Sequence, residues 1–169
     1  TNILGFAVIE VDGDKVDVLE IGVLHLKDKG EHVDKLKEIF LEIQEIIERY
    51  LPKDLAIEAP FFGKNVQSML KLGRAQGVAM AAGMTMGLSI TEYSPKKVKQ
   101  SVTGNGNASK EQVADMMYRL LSLKPGKLPL DATDALSVAL CHHYQNGRPV
   151  SSKKGGWKSF LKENPNRIK

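Results

Sequence analysis

A chain of 169 residues, 42% hydrophobic and 26% charged, is long enough for one domain with its own core and reads as globular rather than disordered or fibrous. No apolar run approaches the roughly 20 residues that span a bilayer, and no stretch reads as a secretory signal. The expectation is therefore a cytoplasmic protein with no membrane partner. The net charge of +4 is unevenly spread. Residues 1–58 carry 7 Lys/Arg against 14 Asp/Glu, whereas residues 59–110 carry 7 basic residues and a single acid, Glu92. Residues 147–169 are again basic. Positive charge gathered in a middle block and a tail points to a polyanionic partner, although a solvated charged face accounts for many such blocks.

In chain order, residues 3–11 and 16–26 are rich in Val, Ile and Leu and flank Asp12-Gly13-Asp14, which predicts an antiparallel hairpin. Val33, Leu36, Ile39, Phe40, Ile43, Ile46 and Ile47 recur at helical spacing, so residues 31–50 predict a helix, stopped by Pro52. Residues 54–58 read as a short buried strand, broken by Ala59-Pro60. A second helix is predicted over 65–84, with Gly73, Gly77 and Ala81 forming a small-residue stripe that admits close approach of another backbone. A strand over 88–94 leads to Pro95, which opens a short basic helix over 95–102. Ser109 and Gln112 have the spacing of a capping box opening a helix to about residue 123, and a last helix runs from about Asp131 to Gln145. The only cysteine, Cys141, lies in that last apolar helix and reads as a buried small hydrophobe rather than a reactive thiol. Together these predict an α/β layered domain over residues 1–146, followed by a flexible basic tail over 147–169.

Three carboxylates are candidates for chemistry. Glu58 ends the apolar strand Leu55-Ala56-Ile57, and ligand sites of α/β sheets lie beyond the carboxyl ends of strands. The plain alternative is a Glu that has reached solvent at the strand end. Asp131 and Asp134 lie in D-A-T-D-A-L, an i, i+3 spacing that puts both on one helix face within reach of one cation. The plain alternative is an N-cap followed by an acid that favours the helix dipole. Taken together, oxygen ligands without Cys or His favour Mg²⁺ or Mn²⁺, and two such ions suit phosphodiester hydrolysis. His142 and His143 lie about two turns past Asp134 and are not expected to be ligands.

Four stretches carry a resemblance: I-E-A-P-F-F-G-K-N (57–65), S-M-L-K-L-G-R-A-Q-G-V-A (68–79), V-K-Q-S-V-T-G-N-G-N-A-S-K (98–110) and D-A-T-D-A-L (131–136). In order and spacing the chain resembles the RuvC-type Holliday-junction resolvases from residue 1 to about 145. The resemblance implies a ribonuclease-H-like fold, a mixed central sheet flanked by helices. It implies a homodimeric, metal-dependent endonuclease that nicks four-way DNA junctions symmetrically in recombination and repair, working with a branch-migration helicase complex. By motif, Glu58, Asp131 and Asp134 match three of four metal-binding acids. Lys99 and Lys110 match lysines near the scissile phosphate, though both also read as solvated helix charge. Phe61 matches an aromatic placed at the junction, where an exposed ring stacks on a base; otherwise it is a loop hydrophobe. Lys64, Asn65, Lys71 and Arg74 belong to the basic block and are candidates for the DNA surface. The Gly73/Gly77/Ala81 stripe resembles the dimer seam, its alternative being packing on the chain's own sheet.

One departure stands at the start. The family opens with a central strand ending in D-P-G, ahead of the segment matching Thr1-Asn2-Ile3, and its Asp is the fourth ligand. The sequence reads as an N-terminally incomplete copy, and the chain as it stands is expected to be poorly folded, inactive or both. Two rival readings are a non-catalytic junction-binding protein on the same scaffold and an actin-like ATPase. Three retained acids oppose the first, and a chain too short for two halves opposes the second.

Overall fold

Gly13 occupies the left-handed region, with φ of 59°, and so turns the chain tightly between strands β1 (Ile3–Asp12) and β2 (Lys15–His25). The structure, a computed structural model, describes residues 2–60 and 65–146. The two strands pair antiparallel, from Ile3 opposite His25 to Asp12 opposite Lys15. Between Val8–Glu20 and Ile9–Val18 the register slips, leaving Leu19 as an extra residue in β2.

Helix α1 (His32–Tyr50) opens with a capping box between Glu31 and Asp34 and closes on Leu51, at φ 48°. Strand β3 (Asp54–Glu58) follows and pairs parallel with β4 (Ser89–Tyr93), helix α2 (Val66–Thr85) forming the crossover. Ser94 caps helix α3 (Pro95–Thr103), with Pro95 in its first turn and Gly104 ending it at φ 76°. Ser109 and Gln112 form the expected capping box of α4 (Lys110–Leu120). Helix α5 (Leu130–Asn146) completes the described chain.

These elements stack in three layers. On one face Ile39, Ala75 and Ala79 of α1 and α2 pack with Leu26 against Leu4, Leu24 and Ile57 of the strands. On the other, Val102, Val113, Met117, Leu136 and Leu140 pack against Ala7, Ile9, Val18 and Ile21. Cys141 is fully buried in a third cluster with Tyr93, Val98 and Val138, the core role its setting predicts. Buried Thr133 and Ser137 satisfy their hydroxyls on the helix itself, donating to the carbonyls of Leu130 and Asp134.

The sheet has both kinds of pairing expected of a mixed sheet, one antiparallel pair and one parallel pair, flanked by helices. Among the described residues it comes in two halves, β1–β2 and β3–β4, which do not pair with each other. Between β1 and β3 runs a slot of about 750 Å³, walled by both strands and by α1, α2 and α5, with Glu58, Asp131 and Asp134 on its lining. The tail 147–169 expected from composition lies outside the described residues, as do Phe61 and Lys64.

Candidate active site

The site is built where the C-terminal end of β3 meets the first turn of α5. Glu58 is the last residue of β3, as its place after the apolar run predicts. In the parallel ladder the Ala59 N–H donates to the Tyr93 carbonyl at 2.8 Å, so residue 59 faces β4. The polar groups of Glu58 therefore face the opposite edge, towards the slot. The amide of Gln76 on α2 donates to the Glu58 carbonyl there, while Gln76 Oε1 is enclosed without a hydrogen-bond partner. Gln76 was not singled out from sequence; the signal was its place on the predicted helix, three residues past Gly73 and next to Gly77.

Asp131 is in the first turn of α5, which begins at Leu130, so it is a helical residue rather than the N-cap. Asp134 lies one turn on, and both aspartates converge on one ammonium. Lys110, the first residue of α4, places Nζ 2.5 Å from Asp134 Oδ2 and 3.5 Å from Asp131 Oδ1. Burial alone lowers the pKa of Lys110, but the hydrogen bond and charge of Asp134, followed by those of Asp131, hold it above the ordinary lysine value. Glu58 reaches solvent along the slot, yet desolvation first and the negative charge of Asp134 second push its carboxyl above the ordinary range, against the pull of Lys110 and Lys99. A carboxyl raised by a neighbouring carboxylate, and a cation shared by that carboxylate and a third, describe a site rich in negative charge.

The donor set suits a hard divalent cation: three carboxylates face one opening, and the Lys110 ammonium already takes the place of a cation between two of them. Among the described residues, no three His, Cys, Asp or Glu side chains are drawn together tightly enough to hold an ion as they stand. His142 is engaged elsewhere. Its Nδ1 is 2.9 Å from the Tyr93 hydroxyl and its Nε2 is 2.8 Å from Asn146 Nδ2, towards the far end of α5.

Of the candidate DNA residues, Asn65, Lys71 and Arg74 lie at the start and in the first half of α2. Asn65 spends its side chain on capping α2, accepting from Ser68 N at 3.0 Å. Lys71 and Arg74 are exposed on α2. Desolvation chiefly, and then the charges of Arg74 and Lys71, hold the His32 imidazole below its usual pKa. Its Nε2 is enclosed and has no hydrogen-bond partner. A Cβ added at Gly73 or Gly77 would meet nothing within 4 Å, so that stripe is not packed on the chain's own sheet.

A family model described as "Crossover junction endodeoxyribonuclease RuvC" matches residues 1–142. The chain belongs to the RuvC family. RuvC of Cytophaga hutchinsonii is 54% identical over 169 residues, covering 100% of this chain and 84% of the relative. RuvC of Bacteroides fragilis is 54% identical over 172 residues, covering 100% of this chain and 92% of the relative. Among solved structures, T. thermophilus RuvC in complex with Holliday junction substrate aligns with a TM-score of 0.77 at 27% identity, over 87% of this chain and 96% of that one. A second Thermus thermophilus RuvC structure aligns with a TM-score of 0.73 at 30% identity, over 86% and 89%. The ribonuclease-H-like fold and the RuvC-type nuclease expected from the motifs are both borne out. No helix among the described residues is long and apolar enough to cross a membrane.

Proposed function

We propose that this RuvC-family nuclease cuts four-way DNA junctions at the mouth of the slot, with Glu58, Asp131 and Asp134 as oxygen ligands of Mg²⁺ or Mn²⁺. The observation that carries the reading is that Asp131 and Asp134 of α5 share the Lys110 ammonium on the lining of the slot that Glu58 of β3 also faces, within electrostatic reach of Asp134. Two ions held there, when bound, would supply the activated water and the Lewis acid of phosphodiester hydrolysis. The chain's own residues do the rest. The charge of Asp134 beside Glu58 favours a cation-loaded site. Lys110 would turn from the aspartates to the scissile phosphate, and Lys99, within electrostatic reach of Glu58, would add positive charge near the oxygens of the pentacoordinate transition state, where negative charge builds up.

In the same reading, residues 1–146 are the nuclease domain and 147–169 a basic tail. Lys71 and Arg74, with Lys64, track the phosphates of a junction arm. Asn65 lies at the same edge, and Phe61 stacks on an unpaired base. Two nicks placed symmetrically call for a two-fold dimer, and the open Gly73/Gly77 face of α2 supports a seam there. A branch-migration helicase complex as partner and a cytoplasmic location complete the proposal. One observation favours a non-catalytic junction-binding protein instead: among the described residues, no three acids are drawn together as a ligand set.

Nicking of a synthetic four-way junction separates the two. The full-length protein is expected to cut it symmetrically with Mg²⁺ and not with a chelator, and to bind it more tightly than linear duplex in gel shifts. On duplex arms affinity should fall by roughly 0.9 log units per phosphate contact per decade of salt. Equal affinity for junction and duplex, or tight binding without metal-dependent cutting, would sink the reading.

A further inference from the structure

Glycine within a strand weakens it unless something needs the space that a side chain would fill. Gly5, in β1, shares the slot lining with Asp131. A Cβ built on Gly5 would lie 1.9 Å from the Asp131 carbonyl oxygen, 2.5 Å from its carbonyl carbon and 3.2 Å from Ala132 N. Among the described glycines, it alone would bring a Cβ within 3 Å of another element's backbone. At Gly22, on the facing strand, a Cβ would meet only the tip of the Phe6 ring, at 3.0 Å. A ring can turn aside, whereas the first turn of α5 is pinned. Ala132 N and Thr133 N both donate to the Pro129 carbonyl, at 3.0 and 3.2 Å, and both residues are fully buried.

We propose that Gly5 is a positioning residue for the nuclease reaction: its missing side chain lets the first turn of α5 lie backbone-to-backbone on β1, and this contact sets where the Asp131 and Asp134 carboxylates stand. The inference rests on the assignment of those aspartates as metal ligands. Ordinary contact begins at about 3.4 Å, so an alanine at position 5 drives the start of α5 outward by more than 1 Å. Ligand distances at a metal site are held to about 0.2 Å, and a misplacement of about 1 Å costs roughly a hundredfold in rate. The carboxylates ride on the displaced turn, whereas Lys71 and Arg74, the proposed phosphate contacts, stand on α2, a different element.

The test compares Gly5→Ala, Gly22→Ala and Asp131→Asn in the full-length protein. Calorimetry measures Mn²⁺ affinity, gel shift measures junction affinity without metal, and single-turnover nicking gives the cutting rate. Gly5→Ala is expected to weaken Mn²⁺ binding at least about tenfold and to slow nicking about a hundredfold, with junction affinity within about threefold of wild type. Gly22→Ala is expected to lower the unfolding temperature while leaving Mn²⁺ affinity unchanged. If Gly5→Ala does not fold, Tyr118→Phe is added. That change frees the Leu128 backbone, whose N–H lies 3.2 Å from the Tyr118 hydroxyl, and gives the entry to α5 room to recede. Wild-type Mn²⁺ affinity in a folded Gly5 variant overturns the proposal, and so does failure of both variants to fold, which would make the contact a folding requirement. Wild-type metal affinity in Asp131→Asn overturns the ligand assignment instead, so the two failures are distinguishable.

Discussion

Lys110 holds the place of a cation between Asp131 and Asp134, and removing it should separate metal binding from catalysis. The ammonium must leave the aspartates before an ion can take both. Its side chain is 52% exposed and those of Asp131 and Asp134 are 45% and 27% exposed, so each pair falls in the range of exposed ion pairs, about 0.2–1 kcal/mol. The two share one ammonium, which gives a combined competition of about 0.5–1.5 kcal/mol, and 1.4 kcal/mol is tenfold in an equilibrium constant. Lys110→Ala should therefore bind Mn²⁺ about two- to tenfold more tightly by calorimetry, with the gain shrinking as salt screens the competing pairs. Nicking under saturating metal should nevertheless fall, because no ammonium remains to meet the phosphate. Weaker Mn²⁺ binding in the variant would show that Lys110 organises the carboxylates rather than competing for them. An unchanged cutting rate would remove it from the reaction.

Gly73→Ala and Gly77→Ala add side chains that meet nothing within 4 Å in the single chain, so each should raise the stability of the isolated protomer by about 1 kcal/mol through helix propensity. If α2 forms the dimer seam, sedimentation of the same variants should show weaker association; tighter or unchanged association would move the seam elsewhere. His32 is held below the ordinary histidine value of 6.5, chiefly by desolvation and then by Arg74, Lys71 and Lys35 among its causes, so the folded chain favours the neutral ring. The unfolded chain takes up the proton first, and the stability this contributes is present above pH of about 6.5 and is lost as pH falls towards the lower folded value. His32→Leu should flatten that acid-side loss in denaturant titrations at pH 7.5 and pH 5, and parallel losses in both proteins would exclude His32 as the cause.

The elements were legible in the sequence because their signals are local. Apolar period two and period 3.6, Gly13 at a turn, Pro95 in the first turn of a helix and the Ser109–Gln112 box each act over a few residues, and each element lies where they place it. The strand-end position of Glu58 and the shared helix face of Asp131 and Asp134 were legible for the same reason. What joins them was not. Lys110 reaches Asp131 from the start of another helix, and Gln76 reaches the Glu58 carbonyl from across the crossover. Asn65, grouped with the basic block as a DNA candidate, also caps α2 through its Oδ1, a local role its place ahead of the helix allows. Gly5 carried a legible hint, an isolated glycine in an apolar strand, but the backbone it makes room for comes from the opposite end of the described chain.

The divided sheet also bears on the order in which the chain folds. The β1–β2 hairpin closes through a two-residue turn and needs no help from distant segments. Pairing β3 with β4 must wait for the whole of α2 to cross over, and seating α5 on β1 closes nearly the full length of the described chain. Loop-closure entropy therefore makes the hairpin an early event and the meeting of Glu58 with the aspartates a late one. Contacts formed last are commonly the first to open under native conditions, so amides at the start of α5 should exchange with solvent sooner than those of the hairpin. The nuclease site would then be among the less protected parts of the described fold until a cation, by binding only the assembled carboxylates, draws its free energy of binding into holding β3 and α5 together.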